Sequence, residues 1–329
     1  TATLADPTGY GRIVRAADDS VSRIVEQRDA SADEEAILEV NTGLIACPAK
    51  PLKGWLGEIQ PNNAQGEYYL TDIIALAVRD GVPVHAAPAA SAAETAGIND
   101  RTQLAACEAE LRARNAAALL KRGVTLADPA RIDVRGELEC GKDVFIDVNV
   151  VFTGKVKLGD GVRVGPGCVI SDSQLEDGTE VHPNSVIDRA HVGPRCSIGP
   201  FARVRPETFL GSEVKIGNFV ETKKSAIARG SKVSHLTYIG DAVIGEEVNV
   251  GAGTITCNYD GVNKHKTEID DRAFIGSGTQ LVAPVSVGAD ATIGAGSVIS
   301  KDAPAGELTV ARGKQVTLHG WKRPEKLPK

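Results

Sequence analysis

Along the second half of the chain, an aliphatic residue recurs at about every sixth position. The period runs without interruption through Ile275, Leu281, Val287, Ile293 and Ile299. A small or apolar residue follows four positions later, at Thr279, Val285, Ala291 and Ser297. A period of six matches neither the 3.6-residue turn of an α-helix nor the alternation of a single strand. It is typical of a repeat in which each six-residue unit forms a short strand and a corner, and three units complete one triangular coil.

This repeat predicts a parallel β-helix over residues 124–305. Both recurring positions would point into the prism, and stability would grow with the number of stacked coils. The period is weak at first, is clear from Leu158, and slips by one residue between Ile239 and Ile244. We expect roughly eight coils of about 18 residues each. Residues 258–268 (NYDGVNKHKTE) interrupt the period, and such a loop on a regular solenoid commonly carries function.

The residues before the repeat show no such period. Residues 11–26 predict a hairpin, and amphipathic patterns predict short helices at residues 51–59 and 67–81. This mixture favours part of an α/β layered domain over residues 1–98. The Gly-rich turn that would hold the phosphates of a nucleotide is not found there.

A helix over residues 99–123 is predicted to link the two domains, with Asn99 or Asp100 as its N-cap. Residues 306–329 form a basic tail that contains proline, and we expect it to be extended. The chain therefore divides into a partial α/β domain, a linker helix, a β-helix and a tail.

Composition agrees with a narrow prism. The 329 residues are 42% hydrophobic, which is enough to build two domains. Aromatic residues make up only 4%, and 35 glycines are present, as expected for an interior too narrow for many rings. The net charge of −6 argues against nucleic acid as a partner, because phosphate binding favours a basic surface. No run of about 18 apolar residues occurs, so we expect no membrane span.

The six cysteines show neither a CxxC pair nor a repeated zinc spacing. Cys168 and Cys196 fall on the small inward position, so we expect buried, reduced thiols and a cytoplasmic location. The opening residues have neither the basic start nor the apolar core of a signal peptide. With no Met in the sequence, this opening suggests that the chain lacks its own beginning.

Candidate chemistry is concentrated around His235, which avoids both inward positions of its repeat. The other polar candidates outside the inward positions are Arg205, Glu221, Lys223, Lys224, Tyr238, Asn249 and Lys264. If neighbouring coils bring them together, they form a cationic pocket with one histidine and one carboxylate. Arg and Lys suit a phosphorylated substrate, and a histidine is a base that works near neutral pH.

Two other interpretations of these residues stay open at this point. One is a solvated outer face on which the histidine has no role. The other is a zinc site built from histidines alone, for which His182 and His191 are the remaining candidates outside the loop, although their spacing fits poorly.

Two long segments, GNFVETKKSAIARGSKVSHLTYIGDAVIG and VNVGAGTITCNYDGVNKHKT, closely resemble a known family. It is the bifunctional bacterial N-acetylglucosamine-1-phosphate uridylyltransferase/glucosamine-1-phosphate N-acetyltransferases. GSGTQLVAPVSVG, GWKRP, PTGYGRI, EVNTG and NNAQGEYYLTD extend the likeness over essentially the whole chain. The resemblance implies a mainly β protein with a left-handed parallel β-helix after an α/β nucleotidyltransferase-like (Rossmann-like) domain. It also implies a homotrimer with active sites between subunits.

The resemblance implies a role for each candidate in the β-helix. His235 would remove a proton from the amine of glucosamine 1-phosphate, and Glu221 would orient the histidine. The sugar phosphate would be bound by Arg205, Lys223 and Lys264, and the sugar by Tyr238 and Asn249. Acetyl-CoA, the co-substrate, would contact Ala252, Asn258, Tyr259, Ser277, Ala295 and Arg312. The backbone N–H of Ala252 would stabilise the oxyanion.

For the first domain, the resemblance implies only residual binding. The family's contacts to UDP-N-acetylglucosamine match Gly11, Glu26, Asn41 and Asn99. Asn99 is also one of two Mg²⁺ ligands in the family, and a single ligand would bind the metal weakly. Because the Gly-rich phosphate loop, its lysine and the second ligand are not found, we expect this polypeptide to lack the N-terminal half of that domain and uridylyltransferase activity.

The sequence therefore predicts acetyl-CoA-dependent acetylation of glucosamine 1-phosphate in UDP-N-acetylglucosamine synthesis, which feeds peptidoglycan and lipopolysaccharide. Small molecules and other copies of the chain are the expected partners. One alternative is a non-catalytic protein that senses sugar nucleotides or acts as a scaffold. Another is an acetyltransferase for a different sugar.

Overall fold

The computed structural model describes residues 1–98 and 100–324. The chain forms two compact units, Thr1–Leu111 and Arg112–Lys329. A helix, Arg101–Lys121, crosses the boundary between them. At its start, a side-chain oxygen of Asp100 accepts a hydrogen bond from the Gln103 backbone nitrogen at 2.7 Å, which satisfies one of the unpaired donors of the first turn. The predicted domain boundaries stay predictions.

The first unit contains a four-stranded antiparallel sheet and three short helices. In spatial order the strands are Ala2–Thr3, Glu39–Val40, Arg12–Arg15 and Val21–Val25. The α-helices are Ala32–Glu35, Ala49–Glu58 and Asp72–Arg79, and a 3₁₀ turn spans Ala92–Thr95. The predicted hairpin and the predicted α/β character are confirmed. A small core forms where the last two of these helices meet, around Trp55, Ile59, Ile73 and Ala77.

The helix predicted over residues 67–81 is shorter than expected. It begins only at Asp72, because the preceding residues form a turn around Asn63. The side-chain oxygen of Asn63 accepts hydrogen bonds from the backbone nitrogens of Gln65 and Glu67, each at 3.1 Å. An asparagine that bonds the following backbone in this way competes with helix formation.

The second unit is a left-handed parallel β-helix with three faces. Face 1 is an 11-stranded sheet that carries the candidate histidine. Its strands are Thr125–Leu126, Phe145–Ile146, Arg163–Val164, Glu180–Val181, Ser197–Ile198, Lys215–Asn218, Lys232–His235, Asn249–Val250, Phe274–Ile275, Thr292–Ile293 and Leu308–Thr309. This number of strands exceeds the roughly eight coils that the clear part of the period predicted. Before Leu158 the same six-residue spacing continues back through Phe152, Ile146, Cys140 and Val134, but a ring and a thiol take two of the aliphatic positions and obscure it.

Faces 2 and 3 belong to one 15-stranded sheet, because its long strands turn a corner and continue. In the coils of the candidate site, residues 221–222 and 238–239 lie on face 2, and residues 225–227 and 242–244 lie on face 3. The strands of this sheet are Ile132–Cys140, Val150–Leu158, Val169–Ser171, Gln174–Leu175, Val186–Asp188, Ala190–Val192, Arg203–Val204, Thr208–Leu210, Glu221–Ile227, Tyr238–Ile244, Ile255–Cys257, Thr267–Ile269, Gln280–Val282, Val285–Val287 and Val298–Ile299. A 3₁₀ turn, Pro129–Arg131, precedes the first of them.

The predicted inward residues fill the prism. Ile275, Leu281 and Ile293 are completely buried, and so are the small residues Thr279 and Ser297. The register explains the slip in the period, because Ile227 still pairs with Ile244 across it. This coil is one residue shorter than the later coil in which Ile275 pairs with Ile293. The shorter coil has one residue fewer at a corner, so the aliphatic residues of neighbouring coils stay stacked.

The cysteines behave as predicted. Cys168 and Cys196 are buried, and their thiols donate to the carbonyl oxygens of His182 at 3.2 Å and Gly211 at 3.0 Å. Burial raises the pKa of Cys196 to about 11, because the low-dielectric interior disfavours the thiolate. All six cysteines are free. Within residues 1–98 and 100–324, the helices are too short or too polar to cross a membrane.

Candidate active site

His235 lies at the corner between faces 1 and 2, which we call the first corner. The chain bends here because Leu236 adopts a left-handed conformation with φ of 49°. The His235 side chain is exposed, and its Nδ1 lies 2.7 Å from Oδ1 of Asn218 in the preceding coil. The prediction that His235 avoids the interior is confirmed, and the ring faces outward where a substrate can reach it.

The predicted acetyl-CoA contacts continue from His235 along the first corner. Val233 pairs with Val250, and Val250 with Ile275, which in turn pairs with Ile293. Two positions after these residues, the same register aligns His235, Ala252, Ser277 and Ala295 in successive coils. Backbone bonds tie this column together, from Gly278 to the Ala252 carbonyl at 2.7 Å and from Gly296 to the Ser277 carbonyl at 2.8 Å.

Glycines keep this column narrow. A Cβ at Gly251 would lie 2.5 Å from the Ser277 nitrogen, and a Cβ at Gly276 would lie 2.5 Å from the Ala295 nitrogen. Both distances are impossible for a real side chain, so glycine lets the coils approach at the corner. At the end of the column, Nη1 of Arg312 donates to the Ala295 carbonyl at 2.8 Å. The register thus places a column of small residues beside His235.

The three predicted phosphate-binding cations lie together at the other edge of face 2. We call this the second corner, where Lys224 and Asp241 adopt left-handed conformations. Lys264, and then Arg205, lower the pKa of Lys223, because nearby positive charges disfavour its protonated form. Arg205 also donates through Nη1 to Oε1 of Glu221 at 2.6 Å. An anion bound here would relieve the repulsion among the cations.

Tyr238 and Asn249, the predicted sugar contacts, lie on different faces. Tyr238 pairs with Glu221 on face 2, whereas Asn249 pairs with Lys232 on face 1. Gly240 accommodates the tyrosine, because a Cβ at this glycine would lie 2.3 Å from the Tyr238 hydroxyl. The ring of Tyr238 therefore extends along face 2 toward the second corner.

The interruption predicted at residues 258–268 is a loop over residues 258–266 at the second corner, and Thr267–Ile269 already forms the next strand. Asn258 is buried and donates through Nδ2 to a carboxylate oxygen of Asp241. Within the loop, Nε2 of His265 lies 2.7 Å from Oδ2 of Asp260. Tyr259 is exposed, and its hydroxyl donates to the Gly261 carbonyl at 2.6 Å. These bonds hold the loop in the shape that presents Lys264.

Within one chain, the predicted site residues therefore form two separate groups. The first corner carries His235 with Ala252, Ser277, Ala295 and Arg312. The second corner carries Arg205, Lys223, Lys264, Asn258 and Tyr259. Face 2 separates the two corners, so His235 and the cations are at opposite edges of the same face.

Three functional candidates were missed in the sequence. Asn218 binds the His235 ring, Asp241 binds Asn258, and Asp260 binds His265. A signal existed for the first two, because each precedes its partner by the length of one coil of the prism. Asp260 and His265 are both inside the inserted loop, where no period guides the prediction.

The alternative zinc site gains no support. His182 lies 3.0 Å from the Ser197 hydroxyl, and His191 lies 3.0 Å from Glu176 and stacks on Phe209. Within the described part of the chain, no group of three His, Cys, Asp or Glu residues is placed to hold a metal.

In the first unit, three of the four predicted sugar-nucleotide contacts meet. The Asn41 backbone nitrogen donates to the Gly11 carbonyl at 2.8 Å. A Cβ at Gly11 would lie 3.2 Å from an oxygen of Glu26, so glycine keeps this side of the carboxylate open. The other oxygen of Glu26 accepts from the Thr71 hydroxyl at 2.8 Å. Asn99, the fourth contact and the predicted metal ligand, lies outside the described residues.

Two family models match parts of the β-helix. Residues 266–301 match the bacterial transferase hexapeptide (six repeats), and residues 134–220 match the GMPPB C-terminal domain. Solved structures share low similarity. A UDP-N-acetylglucosamine acyltransferase from Campylobacter jejuni is 18% identical, with 55% of this chain and 71% of that chain covered and a TM-score of 0.34. The corresponding Francisella novicida enzyme is 17% identical, with 57% and 65% covered and a TM-score of 0.28. At these TM-scores neither likeness carries an argument.

The full-length relatives are much more similar. The bifunctional protein GlmU of Bordetella parapertussis is 60% identical over 326 residues, which cover 99% of this chain and 71% of that protein. GlmU of Chromobacterium violaceum is 57% identical, with 99% and 72% covered. GlmU of Methylococcus capsulatus is also 57% identical, with 100% and 72% covered.

A left-handed hexapeptide β-helix with an exposed histidine beside a column of small residues, together with these relatives, supports a hexapeptide-repeat acyltransferase. At this level of identity the assignment becomes more specific: the chain belongs to the bifunctional GlmU family. The prediction that the chain is an enzyme with glucosamine-1-phosphate N-acetyltransferase activity is confirmed by this membership.

Proposed function

We propose that the β-helix transfers the acetyl group of acetyl-CoA to the amine of glucosamine 1-phosphate, with His235 as the base. The observation that carries this proposal is the alignment of an exposed histidine with a column of small residues on one corner, while three cations meet on the next. The product, N-acetylglucosamine 1-phosphate, enters UDP-N-acetylglucosamine synthesis and so supplies peptidoglycan and lipopolysaccharide precursors.

The acceptor amine must lose a proton to attack the thioester. A histidine can accept this proton near neutral pH, and the exposed ring of His235 is free to approach the amine. Attack of the amine on the thioester carbonyl forms the new N–C bond and a tetrahedral intermediate, which collapses by breaking the C–S bond. The departing thiolate of CoA takes up a proton. Because the amine attacks the thioester directly, the reaction requires no covalent enzyme intermediate.

The column of small residues on the first corner suits the thioester. Ala252 and its neighbour Gly251 present little side-chain bulk, so the thioester carbonyl can approach the backbone. The Ala252 N–H is proposed to donate to the oxyanion, and a donor of this kind stabilises the transition state by about 2.7–4 kcal/mol in other acyl-transfer enzymes. Ser277, Ala295 and Arg312 continue the same column and are proposed to bind the rest of acetyl-CoA, with Asn258 and Tyr259 from the second corner.

The cations on the second corner suit the acceptor's phosphate. Lys264 and Arg205 both lie close enough to Lys223 to lower its pKa, so positive charge is concentrated there. A dianionic phosphate would stabilise all three in their charged forms. Tyr238 and Asn249 are proposed to bind the sugar, and Glu221, which is bonded to Arg205, is proposed to orient nearby groups, including the histidine.

One subunit alone is not expected to complete the site. A sugar phosphate is too small to touch His235 at the first corner and Lys223 at the second corner of one prism. Asn249 also lies on a different face of the prism from Tyr238. If the first corner of one copy meets the second corner of another, both groups face the same substrate, and a cyclic trimer would repeat this contact three times.

Two further expectations also remain proposals. The chain covers about 71% of the length of its relatives, and uridylyltransferase activity is proposed to be absent from a polypeptide of these 329 residues. UDP-N-acetylglucosamine formation from UTP by that polypeptide would contradict this, and Mg²⁺ is relevant only to that reaction.

A cytoplasmic location is proposed because the cysteines are free.

The proposed function is tested by following thiol release from acetyl-CoA. We expect activity with glucosamine 1-phosphate and little with glucosamine, because the second corner binds the phosphate. Replacing His235 with Ala should lower kcat by about 10²–10⁴-fold, the range for loss of a general base. A variant that keeps its oligomeric state and full activity would exclude His235 as the base. Equal activity with both acceptors would favour a different sugar, and a folded but inactive chain would favour the scaffold.

A further inference from the structure

Asn218 occupies the same position as His235 in the preceding coil of the prism. The two residues are register partners, and Oδ1 of Asn218 lies 2.7 Å from Nδ1 of His235. An amide oxygen can only accept a hydrogen bond, so the ring nitrogen that faces it carries the hydrogen. In the neutral ring this leaves the lone pair on Nε2.

The backbone on both sides holds this contact in place. The Leu236 nitrogen donates to the Asn218 carbonyl at 3.1 Å. On the other side, a Cβ at Gly217 would lie 1.9 Å from the Ser234 carbonyl oxygen, so the two coils approach more closely than any other residue would permit. The asparagine is therefore fixed relative to the histidine by the main chain.

The His235 ring has few other constraints. It is exposed at a corner of the prism. The carboxylate of Glu221 accepts from Arg205 at 2.6 Å on face 2. Among the described residues, Asn218 is the side chain that the structure places in hydrogen-bond contact with the ring.

We propose that Asn218 is a positioning residue of the acetyl transfer, in addition to Glu221, and that its contact with Nδ1 fixes the tautomer of His235. This inference rests on the proposed role of His235 as the base. Asn218 acts through the ring and does not touch the substrate. The bond to Nδ1 keeps the hydrogen there, so Nε2 is the nitrogen that accepts the proton from the acceptor amine.

Three variants and one matched control test the proposal in the full chain. Asn218→Ala removes the acceptor, and Asn218→Asp retains an acceptor of nearly the same shape. His235→Ala reports on the base itself. The control is Ser197→Ala, which removes the partner of His182, a histidine bonded to a side chain in the neighbouring coil of the same face. Thermal unfolding and oligomeric state are measured for each variant.

For Asn218→Ala we expect a kcat lower by about tenfold and little change in KM for glucosamine 1-phosphate, because one neutral hydrogen bond is lost away from the substrate. Ser197→Ala should keep wild-type kcat. Asn218→Asp should keep most of the activity and move the acidic limb of the kcat/KM profile to higher pH, because the added carboxylate favours the protonated ring.

The tautomer itself is read from the ¹⁵N chemical shifts of the His235 imidazole. We expect the Nδ1–H form in the wild type and in Asn218→Asp, and a mixture in Asn218→Ala. Neither a small loss of stability nor a change in substrate affinity would produce this pattern. A purely structural asparagine would lower the unfolding temperature without changing the tautomer or the pH profile.

The variants distinguish an error in the role of Asn218 from an error in the role of His235. If His235→Ala remains fully active, His235 is not the base, and the proposed function fails first. If His235→Ala is inactive but both Asn218 variants keep wild-type kcat, pH profile and ¹⁵N shifts, the positioning role is wrong and the base is retained. A changed tautomer with unchanged kcat would also overturn the proposal.

Discussion

At the scale of single residues, charge is the feature with the clearest consequence. Lys264 and Arg205 lower the pKa of Lys223 from its ordinary value of 10.5. Lys223 therefore loses its proton at lower pH than an isolated lysine does. Since only the protonated amine attracts a phosphate, this residue should stop contributing to anion binding within the alkaline range.

We expect the affinity for N-acetylglucosamine 1-phosphate, the product, to fall as pH rises toward the lowered pKa of Lys223. The product has the same phosphate but no titrating amine, so its binding isolates this effect. In Lys264→Gln, affinity at neutral pH should be about tenfold weaker because one charge is lost. The alkaline fall should move to higher pH, because the nearest repulsive charge is gone. Titration calorimetry between pH 7 and about 10.5 measures both.

Lys155→Gln is the control for this experiment, because Lys155 is exposed on an earlier coil and pairs with Glu137 at 3.6 Å. Its substitution should change neither the affinity nor the position of the alkaline fall. An unchanged fall in Lys264→Gln would show that Lys223 does not determine the pH dependence of binding.

The strand Tyr238–Ile244 illustrates what decides stability at the scale of elements. Ile244 is 1% exposed and stacks between Ile227 and Ile269, whereas its neighbour Val243 is 40% exposed on the outside of face 3. The two residues are adjacent in sequence, but Ile244 lies inside the prism and Val243 lies on its outer surface. In a solenoid each coil contacts only its neighbours, so a cavity at one inward position weakens two interfaces.

Ile244→Ala should lower the free energy of unfolding by about 2–5 kcal/mol, the usual range for deleting a buried isoleucine. Val243→Ala in the same strand should change it by no more than about 0.5 kcal/mol. The free energies of unfolding of the two variants are measured by guanidinium unfolding at one fixed protein concentration. Similar losses for both variants would show that face 3 is buried by another part of the assembly.

At the scale of the whole molecule, the two corners suggest how a complete site arises. His235 and the pair Lys223 and Lys264 should serve the same substrate from different copies of the chain. We expect His235→Ala chains and Lys223→Ala/Lys264→Ala chains to be nearly inactive when each is assembled alone. When equal amounts of the two variants are unfolded and reassembled together, each copy at a site has an even chance of being either variant. About a quarter of the sites in a cyclic oligomer should therefore receive an intact His235 from one copy and intact lysines from its neighbour.

The recovery should be measured as acetyl transfer at low glucosamine 1-phosphate, with different tags to prove that mixed oligomers form. As a control, His235→Ala chains are mixed with chains that carry all three substitutions, and these should recover nothing. Mixed oligomers without recovered activity would place both groups in the same subunit.

The residues that fill the β-helix could be predicted from the sequence, whereas the contacts at its corners could not. The six-residue period predicted which side chains are buried, and motif resemblance predicted the family. Neither predicted the role of Asn218. This asparagine precedes His235 by the length of one coil, but other polar residues have the same spacing from a later residue, and only the stacked coils show which of these pairs make a contact.

The sequence by itself determined the architecture, because an aliphatic residue at every sixth position can be buried only in a triangular coil. It also determined the chemistry available, through His235 and three cations. Only the tertiary structure decided how these groups are distributed. The corners of the prism, set by left-handed residues such as Leu236 and Lys224, separate the base from the phosphate-binding cations. Contacts between successive coils depend on the register with which the coils stack, and local sequence does not encode that register.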